Sequence, residues 1–68
     1  MNTKKMKRLK QRVVNAKSEL PLVSYREMAE VMGISEANIY KTYLRAINNE
    51  RCAALLEAID QVRAARGE

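Results

Sequence analysis

Apolar residues recur at helical spacing along the first part of the chain. Intervals of three or four residues place five of them on one helical face: Met6, Leu9, Val13, Ala16 and Leu20. The pattern predicts a helix over residues 3–18, which ends there because Pro21 disfavours helical geometry at the residue before it. Leu22 and Val23 then form a short apolar connection that we expect to pack inward. The alternative for about the first ten residues is a disordered arm, because chain ends fray.

Two shorter helices are predicted next, each opened by a capping serine. Ser24 and Glu27 have the spacing of a capping box, in which each side chain accepts a hydrogen bond from the other residue's backbone amide. Gly33 is expected to end the first of the two helices, because glycine adopts a positive φ without a steric penalty. Ser35 caps the helix that follows. The inner face of that helix is predicted to carry Ile39, Tyr43 and Ile47.

A turn at Asn48 and Asn49 precedes the last predicted helix, residues 50–66. Its apolar residues form a narrow seam: Cys52, Leu55, Leu56, Ile59 and Val62. Such a seam packs into the core against the third helix or pairs with another chain, and neighbouring faces can serve both purposes. Because a chain of 68 residues builds only a marginal core by itself, we predict that the seam is a homodimer interface. The expected fold is one all-α domain of four helices, residues 1–68.

The composition argues against several classes of function. The chain has no histidine and a single cysteine, so no catalytic constellation can be named and we expect no enzyme activity. The same shortage of ligands argues against a metal site, and no cofactor is expected. No apolar run reaches the roughly 20 residues needed to cross a bilayer. One thiol without a secretory signal is typical of a cytoplasmic protein.

Positive charge is concentrated at the start of the chain. The net charge is +5, and seven basic residues precede the first acid, Glu19. These are Lys4, Lys5, Lys7, Arg8, Lys10, Arg12 and Lys17. The pattern indicates contact with a polyanion, and its alternative is a solvated face that only maintains solubility. On DNA such residues track phosphates or reach a minor groove, and phosphates are favoured because lysines outnumber the arginines that narrow minor grooves attract.

Residues 24–47 resemble the helix-turn-helix of bacterial and phage regulators. Six residues carry the resemblance: Met28, Ala29, Met32, Gly33, Ile34 and Ile39. Two short helices that cross closely need a small residue, here Ala29, and a short turn that often contains glycine, here Gly33. Thr42 and Tyr43 depart from the pattern, because many members have plain aliphatic residues there.

The resemblance implies that the third helix enters the DNA major groove by its N-terminal end. Its outward residues would then read the bases: Ser35, Glu36, Ala37, Asn38, Tyr40 and Lys41. Lys41 can donate to guanine, Glu36 can accept from cytosine, and the methyl group of Ala37 can contact thymine. For Asn38 two partners stay open, an adenine base or a phosphate. For Tyr40 two roles stay open: contact with a phosphate or sugar of the DNA backbone, or packing against the first helix of the pair.

The phosphate contacts implied by the resemblance come from three parts of the chain. The start of the second helix would contribute Ser24, Tyr25 and Arg26, and the end of the third helix Arg45. The first helix would contribute Lys4, Lys5, Lys7, Arg8, Lys10 and Arg12.

The predicted function is that of a small transcriptional regulator of a bacterium, phage or mobile element. We expect a homodimeric repressor bound to a palindromic double-stranded DNA operator, with no membrane partner and no evident small-molecule effector. DNA bending, as in an excisionase or partition factor, falls in the same class. The alternatives are an RNA-binding or antitoxin-like adaptor that uses the basic N-terminal helix, and a helical module that docks on an acidic protein.

Overall fold

The computed structural model describes residues 3–67, which form four helices and no strand. Helix α1 spans Thr3–Ser18 and α2 spans Tyr25–Met32. Helix α3 begins as the turn Glu36–Asn38 and continues as a π-helical segment, Ile39–Leu44. Helix α4 spans Asn49–Ala65. The predicted all-α class is confirmed, and the predicted range of α1 is met at both ends.

The helix boundaries follow from the capping residues that the sequence indicates. The Ser24 hydroxyl accepts from the Glu27 amide at 3.2 Å, and the Glu27 carboxylate accepts from the Ser24 amide at 3.1 Å. Gly33 has a φ of 72° and ends α2. The Asn48 side chain accepts from the Arg51 amide at 2.8 Å and opens α4. The predicted capping box and the left-handed glycine are both confirmed.

Helix α4 is the centre of the core and packs against α1, α2 and the π-helical segment. The buried apolar residues come from all four helices and two connections: Leu9, Val13, Val23, Met28, Ala29, Ile39, Ile47, Cys52, Leu55, Ala58, Ile59 and Val62. Met6, Ala16, Met32 and Ile34 pack at the margin of this core. No helix within residues 3–67 is long and apolar enough to span a bilayer.

The predicted dimer seam is occupied by the chain's own core. Cys52, Leu55, Ile59 and Val62 are each no more than 4% exposed in the single chain, because α1 and α2 cover them. The prediction that these four side chains meet a second copy is therefore wrong. Leu56 is only partly buried. Spacing cannot separate the two outcomes, because the same face serves packing within a chain and between chains.

Three further expectations about packing and helix ends are wrong. Leu20 was expected on the inner face of α1 but is 89% exposed, because the helix ends at Ser18 and the chain turns away. Leu22 is 57% exposed, whereas its neighbour Val23 is fully buried. The third helix ends at Leu44, so the buried Ile47 lies in the connection to α4 rather than on a helical face.

Two arginines of α4 hold the connection between α1 and α2. The Arg63 Nη2 atom donates to the carbonyl oxygens of Ala16 at 3.0 Å, Glu19 at 2.8 Å and Pro21 at 3.3 Å. The Arg66 Nη1 atom donates to the carbonyl oxygen of Leu22 at 2.8 Å. The bond to Ala16 satisfies a carbonyl group that the end of α1 leaves without an intrahelical partner, and the other bonds hold carbonyls of the connection. We call the segment of Leu20, Pro21 and Leu22 the 20–22 loop.

Candidate nucleic-acid interface

Helices α2 and α3 are joined by the three residues between Met32 and Glu36, and the turn is closed by backbone hydrogen bonds. The Ile34 amide donates to the carbonyl of Ala29 at 3.1 Å, and the Gly33 amide donates to that of Glu30 at 3.2 Å. Ala29 is buried where α2 meets the core, as its small side chain predicts. The helix, turn and helix expected within residues 24–47 are present.

An aromatic contact fixes α3 to the start of α2. The ring centroids of Tyr25 and Tyr40 are 5.4 Å apart at an interplanar angle of 73°, an edge-to-face arrangement. The Lys17 ammonium lies 4.7 Å from the centroid of the Tyr25 ring. This cation–π contact links the end of α1 to the same cluster. Of the two positions left open for Tyr40, packing against the first helix of the pair is the one observed.

Tyr40 also holds the carboxylate of Glu36. Its hydroxyl donates to Glu36 Oε2 at 2.8 Å, one helical turn away. This hydrogen bond is the main reason that the pKa of Tyr40 is raised above its usual value. The hydroxyl is protonated at neutral pH and is therefore the donor in this hydrogen bond. Glu36 therefore presents a carboxylate with one oxygen engaged and a restricted orientation.

Asn38 is engaged within α3 rather than directed outward. The Thr42 hydroxyl donates to Asn38 Oδ1 at 2.6 Å. The backbone amide of Asn38 donates to the Ser35 hydroxyl at 3.2 Å. In a bidentate pair with adenine, Asn38 Oδ1 would accept from the base amine. The contact with Thr42 competes with that role. Of the two partners left open for Asn38, this contact favours the phosphate.

Ala37 and Lys41 are the two outward residues of α3 without such engagements. Both side chains are exposed, and within residues 3–67 Lys41 forms no hydrogen bond or ion pair. A flexible, solvated ammonium on the outer face of a helix is suited to donate to an acceptor on a bound molecule. A small methyl group beside it permits close approach.

The residues expected to contact phosphates differ in availability. Ser24 and Arg26 are exposed, but Arg26 lies 3.9 Å from the Glu30 carboxylate. Tyr25 is partly buried, and burial raises the pKa of its hydroxyl, which stays protonated at neutral pH. Arg45 is exposed just after the end of α3. Three of these residues therefore lie at the start of α2 and one lies after the end of α3.

Six basic residues of α1 are exposed along its length and around much of its circumference, and we call them together the basic row. Lys4, Lys5, Lys7, Arg8, Lys10 and Arg12 are all exposed. At a rise of about 1.5 Å per residue, Lys4 lies about 20 Å along the axis from Lys17. Lys17, at the end of α1, joins these residues to α2 through its contact with the Tyr25 ring. The structure therefore makes one cluster at α2 and α3 and a separate basic row.

Three contributions escaped the sequence analysis. Arg63 and Arg66 position the loop before α2 from residues about 40 positions away. In the π-helical segment, the consecutive residues Tyr43 and Leu44 both pack against the margin of the core. Thr42, noted only as a departure from the family pattern, donates to Asn38. The contacts of Arg63 and Arg66 have no signal in sequence, because they depend on how α4 packs.

Comparison of the chain with protein-family models, with curated proteins and with solved structures gives no match.

Proposed function

We propose that the protein binds double-stranded DNA in a sequence-specific manner and acts as a small transcriptional regulator. The observation that supports this most is the exposed outer face of α3, which carries Lys41 and Ala37 beside a carboxylate held in place by Tyr40. This face is fixed to α2 by the contact between Tyr25 and Tyr40. A rigid helix with a few free side chains is the element that major-groove recognition requires.

The proposed division of labour separates affinity from specificity. The basic row of α1 contacts phosphates, and each neutralised phosphate releases condensed counterions, which gives affinity that falls with salt. Lys41 donates to guanine O6 or N7, and Ala37 contacts a thymine methyl group. The free oxygen of Glu36 accepts from cytosine N4. Ser24 and Arg26 at the start of α2, and Arg45 after the end of α3, contact the DNA backbone and set the register of α3.

We further propose that two copies act together on a palindromic operator as a repressor. A two-fold symmetric site is the usual counterpart of a two-fold symmetric protein. Because the seam of α4 is buried in the core, the contact between copies uses a different surface.

The test is selection of binding sites from a random double-stranded DNA pool, followed by sequencing. The parent protein is compared with Lys41→Ala and Lys7→Ala, which lose the same side chain from α3 and from α1. We expect a palindromic site for the parent. Lys41→Ala relaxes the preference at one or two positions and weakens binding to the selected site by about 1–3 kcal/mol. Lys7→Ala weakens all sequences alike and lowers the salt slope by about one.

The two variants are matched controls for each other, since they have equal charge and differ only in location. If no site is enriched and both variants behave alike, α3 does not read DNA and the proposal fails. A parallel selection with RNA then tests the adaptor hypothesis, which needs only the exposed basic row of α1. Preferential enrichment of RNA whose binding is weakened by Lys7→Ala but not by Lys41→Ala favours that alternative.

A further inference from the structure

Side chains from α1, α2 and α3 form a continuous line of contacts that ends at the outer face of α3. The Lys17 ammonium lies 4.7 Å from the centroid of the Tyr25 ring. The Tyr25 ring packs edge to face with the Tyr40 ring, at 5.4 Å between centroids. The Tyr40 hydroxyl donates to Glu36 Oε2 at 2.8 Å. A cation of α1 is therefore connected, through two aromatic rings, to a carboxylate of the proposed recognition helix.

Lys17 differs from the basic row of α1 in its surroundings. It is partly buried, whereas the residues of the basic row are exposed. Its carbonyl accepts from the Val23 amide at 2.9 Å, and the carbonyl of Ala16 accepts from Arg63 at 3.0 Å. A side chain that starts from an ordered backbone loses less conformational entropy when it is held in one place. The backbone at the end of α1 therefore helps to keep the ammonium over the ring.

The contact with Lys17 acts on the position of the Tyr25 ring. A cation over an aromatic face is attracted by the ring quadrupole, so it favours the position in which Tyr25 also meets Tyr40. Tyr40 is 46% exposed, and much of its surface is therefore not enclosed by the protein. Its position consequently depends strongly on the contact with Tyr25 and on the hydrogen bond to Glu36.

The orientation of the Glu36 carboxylate decides which base it can recognise. Cytosine N4 and adenine N6 are both amine donors in the major groove, but they belong to different base pairs and lie at different positions. A carboxylate that rotates freely accepts from either amine, whereas one that is held favours a single position. The hydrogen bond from Tyr40 engages one oxygen of Glu36 and leaves the other for a base. Whatever holds Tyr40 therefore contributes to the choice of base.

We propose that Lys17 is a positioning residue for base recognition, which holds Glu36 toward cytosine through the rings of Tyr25 and Tyr40. The inference rests on the proposed function, because it names a residue that sets the specificity of the same site. It separates Lys17 from the basic row: those residues contribute affinity for any sequence, whereas Lys17 contributes preference for one base and makes no contact with DNA.

The first measurement uses the full chain without DNA. In its NMR spectrum, the ring current of Tyr25 should move the methylene protons beside the Lys17 ammonium upfield of those of the other lysines. Lys17→Met keeps a side chain of similar length and removes the charge, so it should shift the ring resonances of Tyr25 and Tyr40. Lys17→Arg should restore them, because a guanidinium also stacks on an aromatic face. Lys10→Met, in the basic row, is the matched control and should leave both rings unchanged.

The second measurement is site selection with the same variants, followed by salt titration on the selected site. Lys10→Met should weaken all sequences alike and lower the salt slope by about one. Lys17→Met should leave the salt slope unchanged. It should reduce the preference for cytosine over adenine at the position read by Glu36 by about two- to fivefold, the range that a cation–π contact at the surface permits. Lys17→Arg should retain the preference.

A double variant tests whether Lys17 acts through Glu36. Because Glu36→Gln already removes the carboxylate, adding Lys17→Met to it should reduce the cytosine preference no further. An additional loss would mean that Lys17 reaches the DNA by another route. Circular dichroism confirms that each variant is folded, so a changed preference is not a loss of structure.

Each opposing outcome has a distinct meaning. If Lys17→Met weakens all sequences and lowers the salt slope as Lys10→Met does, Lys17 is one more phosphate contact and the proposal is overturned. Unchanged tyrosine resonances in Lys17→Met, or an unchanged preference at the position read by Glu36, also overturn it. A parent protein that enriches no site contradicts the proposed function itself, and the role of Lys17 in recognition fails with it. A parent that enriches a site while Lys17→Met retains its full preference contradicts only the role of Lys17.

Discussion

At the scale of single residues, Glu27 joins two structural tasks. Its carboxylate completes the capping box with Ser24 and forms an ion pair with Arg66, whose guanidinium also holds the 20–22 loop. The hydrogen bond from Arg66 is the main cause that lowers the pKa of Glu27, and the bond from the Ser24 amide adds to it. A carboxyl group with a lowered pKa stabilises the folded state above its ordinary pKa. That contribution is lost as the pH falls through the lowered value.

The change Glu27→Gln tests this linkage. Glutamine still accepts from the Ser24 amide but has no charge for Arg66. We expect the variant to be less stable than the parent at pH 7, and the difference to shrink as the pH falls below about 4. Thermal unfolding between pH 7 and pH 3 measures both curves. Glu50→Gln, at an exposed residue of α4, is the control, and an equal loss in the two variants would contradict the role of Arg66.

A second residue-scale prediction concerns Tyr40. The change Tyr40→Phe keeps the ring contact with Tyr25 and removes the hydroxyl that holds Glu36. We expect stability within about 0.5 kcal/mol of the parent, because the lost hydrogen bond is exposed. On the proposed operator we expect weaker discrimination at the position read by Glu36, and little change elsewhere. Site selection with Tyr40→Phe and Glu36→Gln measures this, and relaxation at different positions in the two variants would contradict the assignment.

At the scale of the elements, the turn between α2 and α3 depends on one backbone conformation. Gly33 has a φ of 72°, and a Cβ atom there would meet nothing within 4 Å. Any penalty for a side chain at this position is consequently one of backbone geometry, not of crowding. For an L-residue the left-handed region is disfavoured by about 1–2 kcal/mol.

We therefore predict that Gly33→Ala lowers the free energy of unfolding by about 1 kcal/mol. The matched control is Gly67→Ala, because Gly67 has a φ of 81° and equally open surroundings but follows the end of α4. It should change stability by less than about 0.5 kcal/mol, since chain ends fray. Urea unfolding measures both. Equal effects would mean that the turn is not the origin of the loss.

At the scale of the whole molecule, stability depends on a small core built around α4. A chain of 68 residues is expected to have an unfolding free energy of roughly 3–10 kcal/mol. Leu55 is fully buried, whereas the adjacent Leu56 is only partly buried. Substitutions at these two leucines therefore compare the centre of the core with its margin on the same helix.

Leu55→Ala should lower the free energy of unfolding by about 2–5 kcal/mol, which is a large fraction of the total. Leu56→Ala should have a smaller effect, because less apolar surface is lost from the core. Urea unfolding followed by circular dichroism measures both. The reverse order would contradict the placement of Leu55 at the centre of the core and Leu56 at its margin.

The sequence predicted local structure well, because local structure depends on neighbouring residues. The range of α1, the capping box of Ser24 and the positive φ of Gly33 each follow from a few adjacent positions. The end of α3 was predicted too far along the chain. Ile47 keeps the helical spacing and is buried, but it lies in the connection between α3 and α4. Five of the six residues predicted to face outward on α3 are exposed, whereas Asn38 is partly buried. The hydrogen bonds of Glu36, Asn38 and Tyr40 needed coordinates, because spacing does not determine side-chain rotamers.

By itself, the sequence determined the helical class, the helix boundaries near the caps, and the basic row of α1, because spacing, capping and charge are properties of the chain. Only the tertiary structure decided which surface each apolar residue occupies. Helix periodicity says that Leu55 and Ile59 share a face, but not whether α1, α2 or a second copy covers it. Likewise, Arg63 and Arg66 reach the 20–22 loop only after α4 packs against α1 and α2. Contacts between residues distant in sequence depend on that packing, and no local pattern determines it.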